Sequence, residues 1–145
     1  MGTRRLAREY CLQALYLADC GMPHPELDAA LLGSPAVKDA ETLEFGRSLA
    51  NGVLAAIAEI DPVIEKAAVN WRLSRMPAVD RAILRMAVYE FLKTPQTPTI
   101  AVIDEAIDLA KHFSTDDSGA FVNGILDRIR KEQLPPPETP NEPGK

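Results

Sequence analysis

The sequence lacks the features that would place the chain in a membrane or in an oxidising compartment. It contains no run of about 18 apolar residues, so it predicts no transmembrane helix. Polar residues interrupt the apolar stretch near the amino terminus, which argues against a signal peptide. Cys11 and Cys20 are nine residues apart on one predicted helix, about 13 Å along its axis and too far for a disulfide. We therefore expect a cytoplasmic protein whose cysteines are small packing residues.

Catalytic and metal-binding motifs are also scarce. The two histidines, His24 and His112, have no cysteine or second histidine at ligand spacing. Gly119 and Gly124 have the spacing of a phosphate loop, but the Lys-Ser/Thr pair that must follow is absent. The carboxylates of Asp116-Asp117 are interpreted as a helix cap and a solvated residue rather than an acid–base pair. The sequence therefore predicts no enzyme, no cofactor and no metal site.

The net charge of −5 argues against a nonspecific nucleic-acid binder, because such binding depends on cations that neutralise phosphates. The charge is unevenly distributed along the chain. Residues 1–8 contain three arginines and no acid, and residues 71–93 contain five basic residues against two acids. An acidic protein with one localised basic face can still bind RNA with the help of a partner.

One segment, Val79 to Leu92, is apolar on nearly every side of a predicted helix. A helix of that kind must be enclosed by other helices, so this segment is predicted to be the centre of a helical bundle. Glu90 projects among its apolar residues. Because an unpaired buried carboxylate is costly, we expect Glu90 to pair with an arginine of the core.

Apolar residues recur at helical spacing along most of the chain, and no alternating strand pattern persists. The predicted fold class is all-α, a compact bundle of about seven helices. Asp61-Pro62 is predicted to cap and begin a short helix that ends near Val69, and one or two further turns are expected at 71–75. The other predicted helices cover approximately 4–20, 26–32, 39–59, 78–93, 99–112 and 116–132. Residues 135–145 are rich in proline and predicted to be a disordered tail.

The first predicted helix has two distinct faces. Its core face carries most of the apolar residues, whereas Arg4, Arg5 and Arg8 fall on another side, close to Leu12 and Tyr16. Guanidinium groups suit phosphate contacts. A basic surface that also carries two large apolar side chains is more typical of a binding surface than of a solvated face.

Four motifs in the right order resemble the NusB family of transcription antitermination factors, and together they cover residues 4 to about 130. Trp71-Arg72 belongs to the same signature. The motifs are Arg4 to Glu9 with Gln13 to Tyr16, Val79 to Arg85 with Tyr89-Glu90, Ile103 to Lys111, and Asp117-Ser118 with Phe121 to Asp127.

The resemblance implies a single helical domain, residues 1–134, made of two small subdomains at about 1–70 and 71–134. It also implies a partner, NusE, which is a small-subunit ribosomal protein that doubles as a transcription factor. Members of the family bind the boxA element of nascent RNA together with NusE. The pair joins an antitermination complex on RNA polymerase, chiefly during ribosomal RNA synthesis.

The resemblance also assigns roles to individual residues by motif position. The residues that match the RNA-contacting positions are Arg4, Arg5, Arg8 and Phe121. From the residues alone Phe121 has two interpretations. An aromatic residue at helical spacing is often part of the core, but stacking on an aromatic ring is also a common way for a protein to hold single-stranded RNA. Motif position places Tyr16, Asp80 and Asp117 at the partner surface. Leu12 is also expected there, because it lies with Tyr16 on the basic side of the first helix.

Two features of the sequence keep other functions open. Leu6 interrupts what is often a longer arginine run in the family, and Gly119-Ala120 replaces a position where basic residues can occur, so we expect low RNA affinity without the partner. One alternative is a protein-interaction scaffold or homodimer with little RNA binding of its own. Another is an enzyme module, because a NusB-like domain precedes the catalytic domain of some ribosomal RNA cytosine methyltransferases. The chain carries no nucleotide-binding domain and no catalytic cysteine motif to support that reading.

Overall fold

The structure is a computed structural model that describes residues 3–21 and 40–135. The described residues form no strand and one 3-10 turn, Leu73–Arg75. Their α-helices are α1 Thr3–Asp19, α2 Ala40–Ala55, α3 Ile57–Ala67, α4 Ala78–Lys93, α5 Thr99–Phe113 and α6 Asp116–Gln133. The all-α prediction is confirmed, although the described residues hold six helices rather than about seven. The helix predicted at 26–32 and residues 136–145 of the predicted tail lie outside the described residues.

Helix α4 lies at the centre of the bundle and contacts each of the other five helices. Ile83, Leu84 and Val88 have no exposed surface, and nine of its residues are buried in all. This confirms the prediction that an apolar helix from about 79 to 92 is enclosed by its neighbours. Although α4 is largely apolar, neither it nor any other helix among the described residues is long and apolar enough to cross a membrane.

Helix α1 packs against both α2 and α4. It runs antiparallel to α4, because Arg8 near its start meets Glu90 and Asp19 at its end meets Arg81. The contact with α2 is close at Gly46, where an added Cβ would lie 2.7 Å from Tyr10 Cδ1. A side chain at this position would therefore force the two helices apart or displace the tyrosine ring.

Two helix boundaries follow the residues that the sequence offers as signals. Gly21 has a φ of 92° and ends α1 in the left-handed conformation that glycine tolerates. Helix α6 begins after Thr115, whose side-chain oxygen accepts a hydrogen bond from the Ser118 amide at 3.0 Å. The prediction that Asp116 or Asp117 caps this helix was wrong, because Thr115 holds the capping position and both acids lie in the first turn.

The predicted boundary at Asp61-Pro62 was also wrong. The chain turns at Ala56, and α3 continues through Asp61 and Pro62 to Ala67. Pro62 cannot donate to the carbonyl of Ala58, but both residues are exposed, so water can take the place of that bond. Asp61 does not cap a helix; it forms two hydrogen bonds, each 2.9 Å, with the guanidinium of Arg85.

Candidate nucleic-acid and partner interface

Arg8 forms a two-pronged ion pair with Glu90. Arg8 Nε donates to Glu90 Oε2 at 2.9 Å and Nη2 donates to Oε1 at 2.6 Å. The side chains are only 12% and 6% exposed. The hydrogen bond to Glu90 raises the pKa of Arg8, so the guanidinium stays charged despite its burial. The prediction that Glu90 pairs with a core arginine is confirmed.

The same pair corrects the placement of Arg8 on an open basic surface. Two of its three nitrogens are committed to Glu90, and the side chain lies largely inside the protein. A helical projection gives the direction of a side chain but not the identity of the group on the neighbouring helix, so the sequence could not show this. The assignment of Arg8 to RNA binding remains a prediction. Only Nη1 of its guanidinium is not bonded to Glu90 and could contact a phosphate.

Arg5 and Arg4 lie nearer the surface but also contact groups of the same chain. Arg5 forms ion pairs with Glu9 at 3.2 Å and with Glu105 at 3.4 Å, and Asp108 lies 3.8 Å away. Arg4 is exposed, and its guanidinium carbon stands 4.1 Å from the centre of the Phe45 ring. The shallow pocket beside Arg4 is also lined by Glu41 and Glu44. Two of the three arginines of α1, Arg5 and Arg8, are therefore ion-paired with acids of the chain, whereas Arg4 forms no ion pair with a described residue.

Leu12 and Tyr16 differ in exposure, although both were predicted on the binding side of α1. Tyr16 is 40% exposed, whereas Leu12 is 3% exposed. The prediction of an exposed Leu12 was wrong, because the side chain is covered where α1 packs on the bundle. Both residues nevertheless line a groove of about 270 Å³, whose other residues are Gln13, Leu17, Val79 and Phe113. The groove is mainly apolar and lies where α1 meets the start of α4 and the end of α5.

Asp80 is buried rather than displayed at the partner surface. It is 3% exposed, and its Oδ2 accepts a hydrogen bond from Ser118 Oγ at 3.2 Å. Ser118 also contacts Ser114 at 2.8 Å, so Asp80 joins the start of α4 to the turn between α5 and α6. This corrects the expectation of an accessible Asp80. Its Oδ1 is buried without a hydrogen-bond partner among the described residues.

Asp117 and Phe121 both lie in the first turns of α6. Asp117 is exposed and forms no hydrogen bond or ion pair with another described residue. Phe121 is partly buried against the core and meets Trp71 edge to face, with ring centres 5.5 Å apart and an angle of 72°. Phe121 is therefore partly a core residue and partly a surface residue, because it packs against the core and also contacts the exposed ring of Trp71.

Trp71 is the surface residue that the sequence analysis did not place in the site. Its side chain is 51% exposed, and it follows α3 in the segment that leads to the 3-10 turn. The available signal was its position in the family signature, which gave no information on exposure. No hydrogen bond, ion pair or ring contact joins Phe121 to the arginines of α1. The predicted RNA-binding residues thus do not form one hydrogen-bonded or ion-paired cluster.

Two kinds of reactive group can be located among the described residues, namely possible metal ligands and cysteines. No group of three or more His, Cys, Asp or Glu residues among them could hold a metal ion. Cys11 is fully buried, and burial raises the pKa of its thiol far above the usual range, so it is not a nucleophile in the folded protein. Cys20 is exposed.

Comparison with known proteins gives consistent matches along nearly the whole chain. The sequence model of the NusB family matches residues 5–131. The chain is 50% identical over 135 residues to the transcription antitermination protein NusB of Elusimicrobium minutum, covering 92% of this chain and 96% of that protein. It is 47% identical over 131 residues to the corresponding protein of Geobacter sulfurreducens, covering 89% and 94%.

Solved structures agree with the sequence matches. The fold is similar to that of NusB from T. maritima, with a TM-score of 0.80, 34% identity, and coverage of 93% of this chain and 94% of that one. It is also similar to a chain in the crystal structure of antitermination factors NusB and NusE in complex with dsRNA. There the TM-score is 0.80 and the identity 29%, covering 89% and 96%. The chain belongs to the NusB family.

Proposed function

We propose that the chain is a transcription antitermination factor that binds boxA-type RNA together with NusE, as part of an RNA polymerase complex active chiefly in ribosomal RNA synthesis. The observation that carries the proposal is the likeness, over 89% of the chain, to a protein solved in a complex of NusB and NusE with dsRNA. The proposal includes cytoplasmic location, no membrane association and no enzymatic activity. It also includes a single domain at 1–134 with subdomains at about 1–70 and 71–134.

The partner surface in this proposal is the groove beside Tyr16. An apolar groove with a partly exposed tyrosine and phenylalanine has the composition of a protein interface, where aromatic residues contribute most of the binding energy. Asp117 supplies an uncommitted negative charge for a basic group of the partner. Leu12 forms part of the floor of the groove, and Asp80 acts by holding the start of α4 against α6.

The RNA surface comprises Arg4 and Arg5, with Arg8 behind them, and Phe121 on α6. Because Arg5 is held by Glu9 and Glu105, phosphate must compete with carboxylates of the same chain. Partly exposed ion pairs contribute little free energy and can be exchanged. The chain alone should therefore bind RNA weakly, and NusE should supply further cationic or stacking contacts.

The direct test is an anisotropy titration of labelled boxA RNA with the chain alone, NusE alone and the two together, at low and high salt. We expect weak binding by the chain alone and tighter, salt-dependent binding by the pair. The variant Arg5→Ala should weaken binding by the pair. Lys131→Ala is the matched control. It also removes one ion-paired cation, which contacts Asp127 in the last turns of α6, outside the predicted RNA surface. Equal binding with and without NusE would contradict the proposal.

The partner surface has its own test. Tyr16→Ala should weaken the association with NusE about tenfold or more, as expected for a central aromatic of an interface. Ile100→Ala is the control, because Ile100 is an exposed apolar residue at the start of α5. Isothermal titration calorimetry of both variants with NusE gives the comparison. If the two variants behave alike, the groove is not the partner site.

The ion pairs of Arg5 and Arg8 favour one alternative, a protein-interaction scaffold or homodimer in which the groove binds a second copy. Light scattering of the chain alone decides the oligomeric state. A dimer that dissociates on Tyr16→Ala, combined with no RNA binding in the presence of NusE, would establish the alternative in place of the proposed function.

A further inference from the structure

Trp71 is the only tryptophan of the chain, and half of its surface is open to solvent. Its backbone is fixed by a hydrogen bond from the Trp71 amide to the Ala68 carbonyl at 3.1 Å. Val69, which is 64% exposed, lines the same shallow pocket. A large exposed ring on a fixed backbone has an apolar surface that the fold itself does not use.

The ring of Phe121 packs edge to face against the indole ring of Trp71. The edge-to-face contact fixes the relative orientation of the two rings, and Phe121 is itself packed against the core. This arrangement restricts the rotation of Trp71 while leaving about half of its surface accessible. A restricted aromatic surface loses little conformational entropy when a flat ligand stacks on it.

The cations nearest to Trp71 in the chain form no ion pair with a described residue, although Glu65 lines both pockets that Arg72 borders. The side chains of Arg72 and Arg75 are exposed and form no hydrogen bond or ion pair with another described residue, in contrast to those of Arg5 and Arg8. Arg72 lines the pocket that contains Trp71 and also the neighbouring cleft of Arg81 and Arg85. An exposed aromatic ring therefore lies next to an uncommitted guanidinium.

The backbone of α6 beside this region is also open. Gly124 lies one turn after Phe121, and an added Cβ there would meet no atom within 4 Å. An exposed aromatic ring and a cation without an ion-pair partner are groups that hold single-stranded RNA by stacking and phosphate contact.

We propose that Trp71 is a stacking platform for an unpaired RNA base, with Phe121 as the residue that positions it and Arg72 as the cation for the adjoining phosphate. This inference rests on the proposed function and adds a contact residue to it. It differs from an assignment of stacking to Phe121 itself, because Phe121 is partly buried and Trp71 carries the accessible ring. Trp71 and Arg72 add an exposed aromatic ring and a guanidinium without an ion-pair partner to the RNA surface, whereas Arg5 and Arg8 of α1 are ion-paired.

The single tryptophan makes the test direct. The chain with NusE is titrated with boxA RNA while tryptophan fluorescence is recorded, and the same titration with Trp71→Phe provides the blank for any other fluorescence. We expect RNA to quench the difference signal and to protect it from acrylamide. In parallel, anisotropy of labelled RNA should show Trp71→Ala binding roughly tenfold more weakly, and Trp71→Phe, which keeps an aromatic ring, less affected.

Arg72→Ala should weaken binding to all sequences alike and reduce the slope of log affinity against log salt by about one. Lys131→Ala is the control for loss of one surface charge. Circular dichroism melting shows whether Trp71→Ala is folded; if it is not, the fluorescence of the unaltered chain and the Trp71→Phe affinity decide the question.

Three outcomes overturn the inference and are distinguishable. If RNA binds to the complex with NusE but neither the tryptophan signal nor the affinity of the variants changes, Trp71 is not a stacking residue and the proposed function stands. If no RNA binds even with NusE, both fail. If Trp71→Ala weakens NusE association or changes the mass seen by light scattering, while a preformed complex binds RNA normally, the ring is a protein contact instead.

Discussion

The arginines at the start of α1 and those that follow Trp71 differ in what their guanidinium groups contact. Arg5 and Arg8 are bound by acids from three helices, α1, α4 and α5. Arg72 and Arg75 have no acidic partner among the described residues. The arginines of α1 are more closely spaced in the sequence, yet fewer of their guanidinium groups are without an acidic partner than in the pair that follows Trp71. The number of arginines in a segment is a poor guide to its phosphate affinity when the fold brings acids to it.

The largest expected effect tests the structural role of the first of these regions. Arg8→Ala leaves the Glu90 carboxylate buried without its partner, which should lower the free energy of unfolding by about 3–5 kcal/mol. Arg4→Ala removes only an exposed contact with the Phe45 ring and should cost about 0.5–1 kcal/mol. Urea unfolding followed by circular dichroism measures both.

A double variant sharpens this test. Arg8→Met with Glu90→Leu removes both charges and should recover much of the stability lost in Arg8→Ala, because two apolar side chains can replace a buried ion pair. Equal stability of Arg8→Ala and Arg4→Ala would mean that Arg8 is as accessible as the sequence suggested. The contrast between the two arginine regions would then disappear.

A second pair of variants compares two glycines. Gly46 is packed against α1, which carries the first arginine cluster, and Gly124 lies on α6 one turn after Phe121. Gly46→Ala places a Cβ 2.7 Å from Tyr10 Cδ1 and 3.1 Å from the Ala7 carbonyl oxygen, and overpacking of this kind costs about 1–3 kcal/mol. Gly124→Ala meets nothing within 4 Å and should stabilise α6 by up to about 1 kcal/mol through helix propensity. Thermal unfolding of both variants should therefore shift in opposite directions.

The RNA affinity of Gly124→Ala adds a second measurement. If RNA approaches the backbone beside Phe121, this variant should be more stable and bind RNA less tightly with NusE present. A Gly46→Ala variant as stable as the unaltered chain would show that α1 and α2 can separate without cost, and the fixed position assigned to the arginines of α1 would be wrong.

The fold was largely predictable from the sequence, because helical spacing and a glycine at a helix end such as Gly21 are local signals. The centre of the bundle was also predictable, since a helix apolar on all sides has few alternatives to enclosure. The start of α3 was not. Asp61-Pro62 has the local signature of a helix start, but Asp61 binds Arg85 of another helix, and that contact depends on tertiary packing.

The site was less predictable than the fold, for a reason that Arg8 and Leu12 share. Both lie on the side of α1 opposite its main apolar face, and both are covered by neighbouring helices. Helical periodicity describes one helix surrounded by solvent, whereas α1 is enclosed on more than one side. The exposure of Trp71 was not predicted, because its place in the family signature carries no information on burial.

The smallest expected effect concerns Arg5, where the acids of the chain compete with RNA. Glu105→Gln removes one of the carboxylates that hold the Arg5 guanidinium, at 3.4 Å, while keeping the size of the side chain. Because such a partly exposed pair contributes at most about 1 kcal/mol, RNA affinity in the presence of NusE should rise only about two- to fivefold. Anisotropy at low salt is the measurement, and the gain should shrink as salt is added.

Glu59→Gln separates this local effect from a change of net charge. Glu59 pairs with Lys93 at 3.0 Å, so its replacement also frees one cation and changes the net charge by the same amount. If the two variants raise RNA affinity equally, only the total charge matters and Arg5 has no special place at the RNA surface. If Glu105→Gln alone raises it, carboxylates of the chain limit the phosphate affinity of α1. In that case the acids around Arg5 set how strongly the chain depends on its partner to bind RNA.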